Sequence, residues 1–225
     1  MTEEEQNKQN NKLKKAIEKL NKILYSDRER RVKAKLRDEQ LEIIRKALLA
    51  GADANMLYLD APILDYAAFM GDPLVVRYLL KAGADPNYDD EGYTPLLSAV
   101  MGWGENKLWV ARELLIAGAD VNGGREFGVD ADGGSPLHKA VFYEKPELVQ
   151  LLLDAGADVS VLSYGGLTPL HFAAMNDNCT IINMLLSAGA DKSAKDNDGD
   201  TAADIAAQRG NKKALSLLRL IKRKH

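Results

Sequence analysis

Cysteine and long apolar runs are what this sequence most clearly lacks. Cys179 is the single cysteine among 225 residues, which excludes an internal disulfide framework and favours a reducing compartment. No uninterrupted apolar run approaches the roughly 18 residues that a membrane span needs. The start, Met1–Glu5, lacks the positive region and apolar stretch of a secretory signal. We therefore predict a cytoplasmic protein that does not contact a membrane.

A strong charge of one sign is also missing. The net charge of -3 combines a local +5 in residues 1–49, from 14 Lys/Arg against 9 Asp/Glu, with -8 in the remainder. Neither part is basic enough for general nucleic-acid binding, so we predict no nucleic-acid partner. The basic tail, residues 219–225, suits the negative end of a helix dipole, and a targeting signal is the alternative.

Motifs for catalysis and for metal binding are absent. The sequence has no phosphate-binding glycine loop, zinc pattern or nucleophile motif. Two aspartate-rich loops, residues 196–200 and 130–133, fail as calcium loops. With their glycines at loop position six, positions one and twelve would hold Ala194 and Ile205, or Gly128 and Lys139, in place of carboxylates. We predict no catalytic residue, no cofactor and no metal.

What the sequence does contain is a repeat. A helix-ending Gly-Ala-Asp recurs at Gly51, Gly83, Gly118, Gly156 and Gly189. Glycine there can adopt the left-handed conformation that closes a helix. A helix-starting motif recurs as Thr94-Pro95-Leu96-Leu97, Ser135-Pro136-Leu137-His138, Thr168-Pro169-Leu170-His171 and Thr201-Ala202-Ala203-Asp204, with a degenerate copy at Pro62-Ile63-Leu64-Asp65. Thr or Ser caps such a helix, and proline costs nothing in its first turn.

Successive starts are 32, 41, 33 and 33 residues apart. This period and the Thr-Pro-Leu-His signature resemble the ankyrin repeat family over about residues 30–218. The resemblance implies an all-α fold, a solenoid of stacked helix-turn-helix units with short β-hairpin fingers. We place the array at 27–218, with units near 27–60, 61–92, 93–133, 134–166, 167–199 and 200–218.

Two helices precede the regular units. In residues 1–26, Leu13, Ile17, Leu20 and Leu24 form one apolar stripe, which predicts an amphipathic helix that caps the array; a separate partner-binding helix is the alternative. A second helix is predicted from about Asp27 to Leu49. Its apolar side is expected to hold Ile43, Ile44, Ala47 and Leu48.

The interval of 41 residues contains two insertions. Three extra residues fall between the helices, around residues 102–105, and about five enlarge the finger at 121–129. Insertions in repeat arrays fall in loops and often on a binding face.

His138 and His171 occupy the fourth position of the start motif. The family resemblance implies a structural role for them, in which histidine bonds neighbouring loops. Asp65, Leu97 and Asp204 replace histidine in other units, which also argues against a required chemical group.

The family resemblance also implies which positions face a partner: the two residues after the paired alanines, and the residues beside the finger glycine. Large apolar groups occupy many of them, which favours a binding surface over solvent exposure alone, although some rings could instead pack between units. The predicted partner-binding residues are Tyr58, Leu59, Phe69, Met70, Tyr93, Met101, Trp103, Arg125, Phe127, Phe142, Tyr143, Tyr164, Leu167, Met175 and Asn176.

We therefore predict a non-catalytic protein-protein interaction module, acting as a monomer, that binds a protein on its concave face. Acidic fingertips, at Asp89, Asp90, Glu91, Asp132, Asp198 and Asp200, favour a partner with basic groups at its rim. The expected role is that of an inhibitor, an immunity-type protein or an adaptor. A secreted host-directed effector or a scaffold that uses the same face, an enzyme with a site between Trp103 and Phe127, and a structural spacer are the alternatives.

Overall fold

The computed structural model describes residues 1–24, 30–58, 61–89, 92–102, 104–124 and 134–220. Within these ranges the chain forms twelve helices and one short antiparallel ladder, in the order α1 Glu3–Leu24, α2 Arg30–Leu49, β1 Leu57–Tyr58, β2 Ala61–Pro62, α3 Ile63–Met70, α4 Pro73–Lys81, α5 Pro95–Met101, α6 Lys107–Ile116, α7 Pro136–Phe142, α8 Pro146–Asp154, α9 Pro169–Met175, α10 Cys179–Ser187, α11 Ala202–Arg209 and α12 Lys212–Leu220. None of the described helices is both long enough and apolar enough to cross a bilayer.

The first compact unit contains Met1–Asp90 and Thr94–Ala119. α1 packs along α2, and the pairs α3–α4 and α5–α6 follow, with α3 against α5 and α4 against both α2 and α6. α1 begins with reciprocal bonds, because Thr2 N donates to Glu5 Oε2 and Glu5 N donates to Thr2 Oγ1. The side chains of Leu13, Ile17 and Leu20 are at most 2% exposed, so the predicted apolar stripe is confirmed for these three residues.

The second compact unit contains Asp120–His225 and Glu91–Tyr93. It holds the pairs α7–α8, α9–α10 and α11–α12; α9 packs between α7 and α11, and α10 contacts α8 and α12. Successive helix pairs in each unit confirm the predicted ankyrin-type fold class. The predicted unit boundaries stay predictions.

The repeated glycines end their helices as predicted. Gly51, Gly83, Gly118, Gly156 and Gly189 all have φ between 86° and 95°, in the left-handed region. The backbone amide of the residue after each glycine donates a hydrogen bond to a carbonyl in the last turn of the helix; Ala84 N, for example, donates to Leu79 O at 3.0 Å. These bonds satisfy carbonyls that the end of the helix would otherwise leave without partners.

Asparagine side chains link successive loops, a role that was not predicted from the sequence. In the first unit, Asn55 Nδ2 donates to Gly83 O at 3.1 Å, and Asn55 Oδ1 accepts from Asp85 N at 2.8 Å. Asn87 Nδ2 donates to Gly118 O at 2.9 Å. In the second unit, Asn122 Oδ1 accepts from Asp158 N at 2.8 Å. Asparagine two residues after the Gly-Ala-Asp aspartate was the signal that could have revealed this link.

One expectation needs correction. Ile43 was expected on the buried side of α2 but is 40% exposed, because the buried stripe runs through Leu41 and Ile44, and the adjacent position points about 100° away. Among the described residues of the fingers, Leu57 lies opposite Pro62 and Tyr58 opposite Ala61 in one ladder, and residues 195 and 201 form an isolated bridge. The structure does not describe the side chain of Leu24, the fourth residue of the predicted apolar stripe. Residues 125–133, which contain the larger part of the predicted finger insertion, also lie outside the described residues.

Asp177 and Glu144 occupy the turn after the first helix of their pairs, and Asp177 there caps a later helix. Both have a left-handed backbone, with φ of 53° and 51°. The equivalent positions after α3 and α11 hold glycine, which adopts this conformation without strain. We expect Asp177→Gly to lower the free energy of unfolding by about 1 kcal/mol, because Asp177 Oδ1 accepts a 2.8 Å bond from Ala214 N in the first turn of α12. Urea denaturation followed by circular dichroism measures the change.

Glu144→Gly is the matched control for this prediction. Exposed Glu144 accepts a bond at Oε2 from Nδ2 of half-buried Asn178 at 3.1 Å and caps no helix. Relief of the left-handed strain and the greater entropy of unfolded glycine nearly cancel, so the change should stay within about 0.5 kcal/mol. Equal losses for the two variants would contradict the capping role of Asp177.

Candidate protein-binding surface

The residues after the paired alanines, or their equivalents, lie where the first helix of each pair ends. Phe142 is the last residue of α7 and is 46% exposed, and Tyr143 follows it at 37% exposed. The other predicted residues of this kind are half-buried: Phe69, Met70 and Met101 in the first unit, Met175 and Asn176 in the second.

Phe142 and Tyr143 form an aromatic cluster with a buried base. The two rings meet edge to face, with centroids 5.4 Å apart, and Phe142 meets Phe172 of α9 in the same manner at 6.3 Å. Phe172 is 2% exposed and lies 5.3 Å from the ring of His138. Asn176 Nδ2 donates to Phe142 O at 3.2 Å, which ties the end of α7 to the end of α9. The exposed pair therefore rests on a fixed support.

Phe172 was missed as part of this site. It belongs to the start motif, which was interpreted from the sequence as framework. The available signal was that its position is not fixed between repeats, since α5 has Ser98 and α7 has Lys139 there.

Two of the predicted partner-binding residues are buried. Tyr58 is 8% exposed, its ring packs edge to face on Tyr66 at 4.6 Å, and Lys14 Nζ of α1 lies 5.3 Å from its centroid. Burial raises the pKa of Tyr58 to about 12. Leu167 is also 8% exposed, and its carbonyl accepts a bond from His138. Both side chains are part of the packing between elements, so neither is available to a partner.

The other loop positions divide into exposed and undescribed residues. Tyr93 is 38% exposed and Tyr164 is 66% exposed, both in the second unit. The remaining predicted residues, Leu59, Trp103, Arg125 and Phe127, lie outside the described residues.

The acidic fingertips are partly described. Asp89 and Asp198 are exposed, and Asp200 Oδ2 accepts a bond from Gln208 Nε2 at 2.6 Å. Asp90, Glu91 and Asp132 lie outside the described residues. Where the chain is described, it brings together no group of three His, Cys, Asp or Glu side chains suited to a metal ion.

The two repeat histidines join successive loops, as the resemblance implied. Ser135 N donates to His138 Nδ1 at 3.2 Å, and His138 Nε2 donates to Leu167 O at 3.0 Å. His171 repeats the arrangement, with Thr168 N donating to Nδ1 at 3.0 Å and Nε2 donating to Asp200 O at 3.2 Å. An acceptor at Nδ1 and a donor at Nε2 define the neutral Nε2–H tautomer. The role of both histidines is structural.

The stability of the second unit should depend on pH through His171. Burial lowers the pKa of His171 below its usual value of 6.5, although hydrogen bonds and charges from Asp200 and Asp196 oppose the shift. Below pH 6.5 the unfolded chain therefore binds more protons than the folded chain. The stability that neutral His171 contributes is fully present above pH 6.5 and is lost as the pH falls below that value.

We expect the urea midpoint of the wild type to fall as the pH falls below 6.5, and the fall to be smaller in His171→Leu. Leucine is the natural residue at the equivalent position of α5, Leu97. NMR titration of the imidazole gives the pKa directly. A His171 pKa above 6.5, or an unchanged pH dependence in the variant, would contradict the effect of burial.

Comparison with known proteins places this arrangement in a family. A family model described as "Ankyrin repeats (3 copies)" matches residues 33–125 and 137–223. The chain is similar to human BCL-6 corepressor-like protein 1, with 38% identity over 109 residues, which is 47% of this chain and 6% of that protein. It is also similar to the chicken nuclear factor NF-kappa-B p105 subunit, with 35% identity over 133 residues, 58% of this chain and 13% of that protein.

The chain therefore matches only a small part of each of these relatives. The family model, in contrast, matches most of the length of this chain. Ankyrin repeats are in general protein-protein interaction modules, typically without catalytic activity. The repeated helix pairs, their glycine ends and this match agree. The chain belongs to the ankyrin repeat family.

Proposed function

We propose that this chain is a non-catalytic binding module that holds a protein partner on the surface formed by Phe142 and Tyr143, with Met175 and Asn176 beside them. The exposed aromatic pair at the end of α7 carries the proposal. Tyrosine, phenylalanine and methionine are enriched in the cores of protein interfaces, and large apolar groups in exposed clusters mark such sites.

The residues that support the aromatic pair should increase the affinity of this surface for a partner. Phe172 packs under Phe142, and Asn176 holds the Phe142 carbonyl. A surface already fixed before binding loses little conformational entropy when the partner arrives, so more of the burial energy appears as affinity. A few central aromatic residues then supply most of that energy.

The loops suggest the character of the partner. Tyr93 and Tyr164 add exposed aromatic groups, and Asp198 adds an exposed carboxylate. By charge complementarity the partner carries basic groups at the rim, which mainly raises association rate and specificity. Covering or recruiting such a partner makes the chain an inhibitor, an immunity-type protein or an adaptor. The cytoplasmic location and the monomeric state stay predictions.

The test is the double variant Phe142→Ala/Tyr143→Ala. We expect it to weaken partner binding by at least about 2 kcal/mol, roughly a factor of 30, while the helices stay folded. The partner is first captured from the native source by the wild type, then purified and titrated by calorimetry against each variant.

Leu162→Ala/Leu220→Ala is the matched control. Both leucines belong to the second unit and are more exposed than the aromatic pair, at 53% and 74%, but neither lies at the end of a first helix. The control should bind like the wild type. Equal affinity of the aromatic double variant and the wild type would show that the proposed surface is not the binding site.

A further inference from the structure

A second exposed apolar surface lies on α6, in the first unit. Trp109 is 59% exposed and Ile116 is 76% exposed. They are seven residues apart, so they lie on one side of the helix about 10 Å from each other. Exposed Arg112 lies between them, with its guanidinium carbon 5.8 Å from the centroid of the Trp109 ring.

The repeat does not need apolar residues at these positions. Aligned on the glycine that ends each helix, Trp109 corresponds to Glu147 in α8 and Thr180 in α10. Ile116 corresponds in the same way to Asp154 and Ser187. The buried residues of these helices do correspond, and all are at most 3% exposed: Val110, Ala111 and Leu114 in α6, Leu148, Val149 and Leu152 in α8, Ile181, Ile182 and Leu185 in α10. α4 has Leu74 at the position of Trp109, and α2 has exposed Leu49 at the position of Ile116. Among the five helices that end at a Gly-Ala-Asp, α6 alone has apolar residues at both positions, so the pair is additional to the framework.

α6 and α4 enclose an open groove beside Ile116. Its volume is about 440 Å³, and it is lined by Arg77, Leu80, Lys81, Glu113, Ile116 and Ala117. Arg77 forms an ion pair with Glu113, whose pKa is lowered chiefly by that hydrogen bond, so Glu113 stays ionised and offsets the charge of Arg77. Lys81 and Arg112 then give the groove and its edge a charge of about +2 at neutral pH.

We propose that Trp109, Arg112 and Ile116 of α6, with Arg77 and Lys81 of α4, form a second protein-docking surface, the α6 surface, for an acidic amphipathic segment of a partner. The apolar side of that segment covers Trp109 and Ile116, and its carboxylates meet Arg112 and Lys81. Tryptophan and arginine are the residue types that most often dominate binding energy. The local positive charge stands out on a chain whose net charge is -3.

The composition of the groove favours a protein segment over other anionic partners. Glu113 lies within it and is only partly exposed, at 17% of its side chain, so a continuous phosphate backbone would approach an ionised carboxylate. A peptide can instead place one carboxylate at each cation and an apolar side chain between them. An anionic membrane also attracts tryptophan and basic side chains, so vesicle binding is measured beside peptide binding.

The test is a selection from a displayed library of short peptides on the whole chain. Peptides retained by the wild type are challenged with Trp109→Thr/Ile116→Ser, which installs the residues of α10 at these positions. We expect the peptides that depend on the two residues to be rich in Asp and Glu, with apolar residues three or four apart. A synthetic peptide of this kind should bind the variant at least about tenfold more weakly than the wild type.

Charge and fold are controlled separately. Arg112→Asn, which copies Asn183 of α10, should weaken the peptide about threefold and reduce the salt dependence of binding. Leu162→Ser and Phe142→Ala/Tyr143→Ala should bind the peptide like the wild type, because neither changes a residue of the α6 surface. Circular dichroism verifies that each variant is folded.

Three outcomes would overturn the proposal: no selected peptide that depends on Trp109 and Ile116, dependent peptides that are neutral or basic, or binding through Trp109 to vesicles of phosphatidylcholine with phosphatidylserine but not to acidic peptides. The last would assign the surface to a membrane.

Discussion

Gly102→Ala should lower the free energy of unfolding of the first unit by about 3 kcal/mol. Gly102 is buried directly after α5, and a Cβ there would lie 2.0 Å from the carbonyl oxygen of Phe69 and 2.7 Å from its carbonyl carbon. These are backbone atoms of α3, so the clash cannot be relieved by rotating a side chain. The ends of α3 and α5 would have to separate, which disrupts the packing of both helices.

Urea denaturation measures the loss, and amide hydrogen exchange locates it. The rate of amide hydrogen exchange should increase most in α3 and α5 of the Gly102→Ala variant. Gly165→Ala is the control, because the nearest atoms to its added Cβ are Leu167 side-chain carbons at 3.7 Å, an ordinary contact. Neither glycine has a positive φ, so the backbone conformation permits alanine at both positions. Similar stabilities for the two alanine variants would show that the close approach of α3 and α5 tolerates a methyl group.

The second large effect is expected for His138→Ala, a loss of about 3 kcal/mol from the second unit. His138 is fully buried, bonds Ser135 N, bonds Leu167 O and contacts the Phe172 ring. Alanine removes one helix-cap acceptor and opens a cavity beside Phe172, and each of these costs about 1 kcal/mol or more. It also removes one of the two donors to Leu167 O, where Ser163 N remains, and this lost hydrogen bond adds about 0.5 to 1 kcal/mol.

His138→Leu separates packing from hydrogen bonding. Leucine fills much of the space, as Leu97 does at the equivalent position of α5, but it can neither accept at Ser135 N nor donate to Leu167 O. We expect its stability to fall between the wild type and the alanine variant, measured by urea denaturation. A leucine variant as stable as the wild type would mean that the two hydrogen bonds contribute nothing net.

The elements of the fold were predictable because their signals are local and repeated. Each glycine end and each threonine or serine cap determines a helix boundary within a few residues, and the copies reinforce one another. The burial of Tyr58 was not predictable in the same way, since it depends on α1, whose Lys14 lies more than forty residues earlier in the chain. The exposure of Ile43 likewise depends on which side of α2 its neighbours cover.

The insertion around residues 102–105 shows the same limit. Spacing alone indicated extra residues between two helices and suggested a loop near a binding face. In the structure, Gly102 and Gly104 instead allow close contact with the backbone of Phe69 and Gly71, which is a packing role. The exposed pair Phe142 and Tyr143 was predicted from the repeat pattern, whereas Trp109 and Ile116 were missed because they lie outside the positions that the family uses for its partners.

The loop links also couple the opening of one helix pair to that of the next. Asn55, Asn87 and Asn122 reach from their own loops to a following one, so one loop cannot open without breaking a bond to the next. Ser160 and Ser193 occupy the equivalent positions further along, and their hydroxyls donate at 2.6 Å to the aspartates of their own loops. In a repeat protein, cooperativity arises from such contacts between neighbours. The later loops are joined instead by His138 and His171, whose Nε2 atoms bond to Leu167 O and Asp200 O. Within each unit a helix pair should therefore open together with its neighbour and not alone.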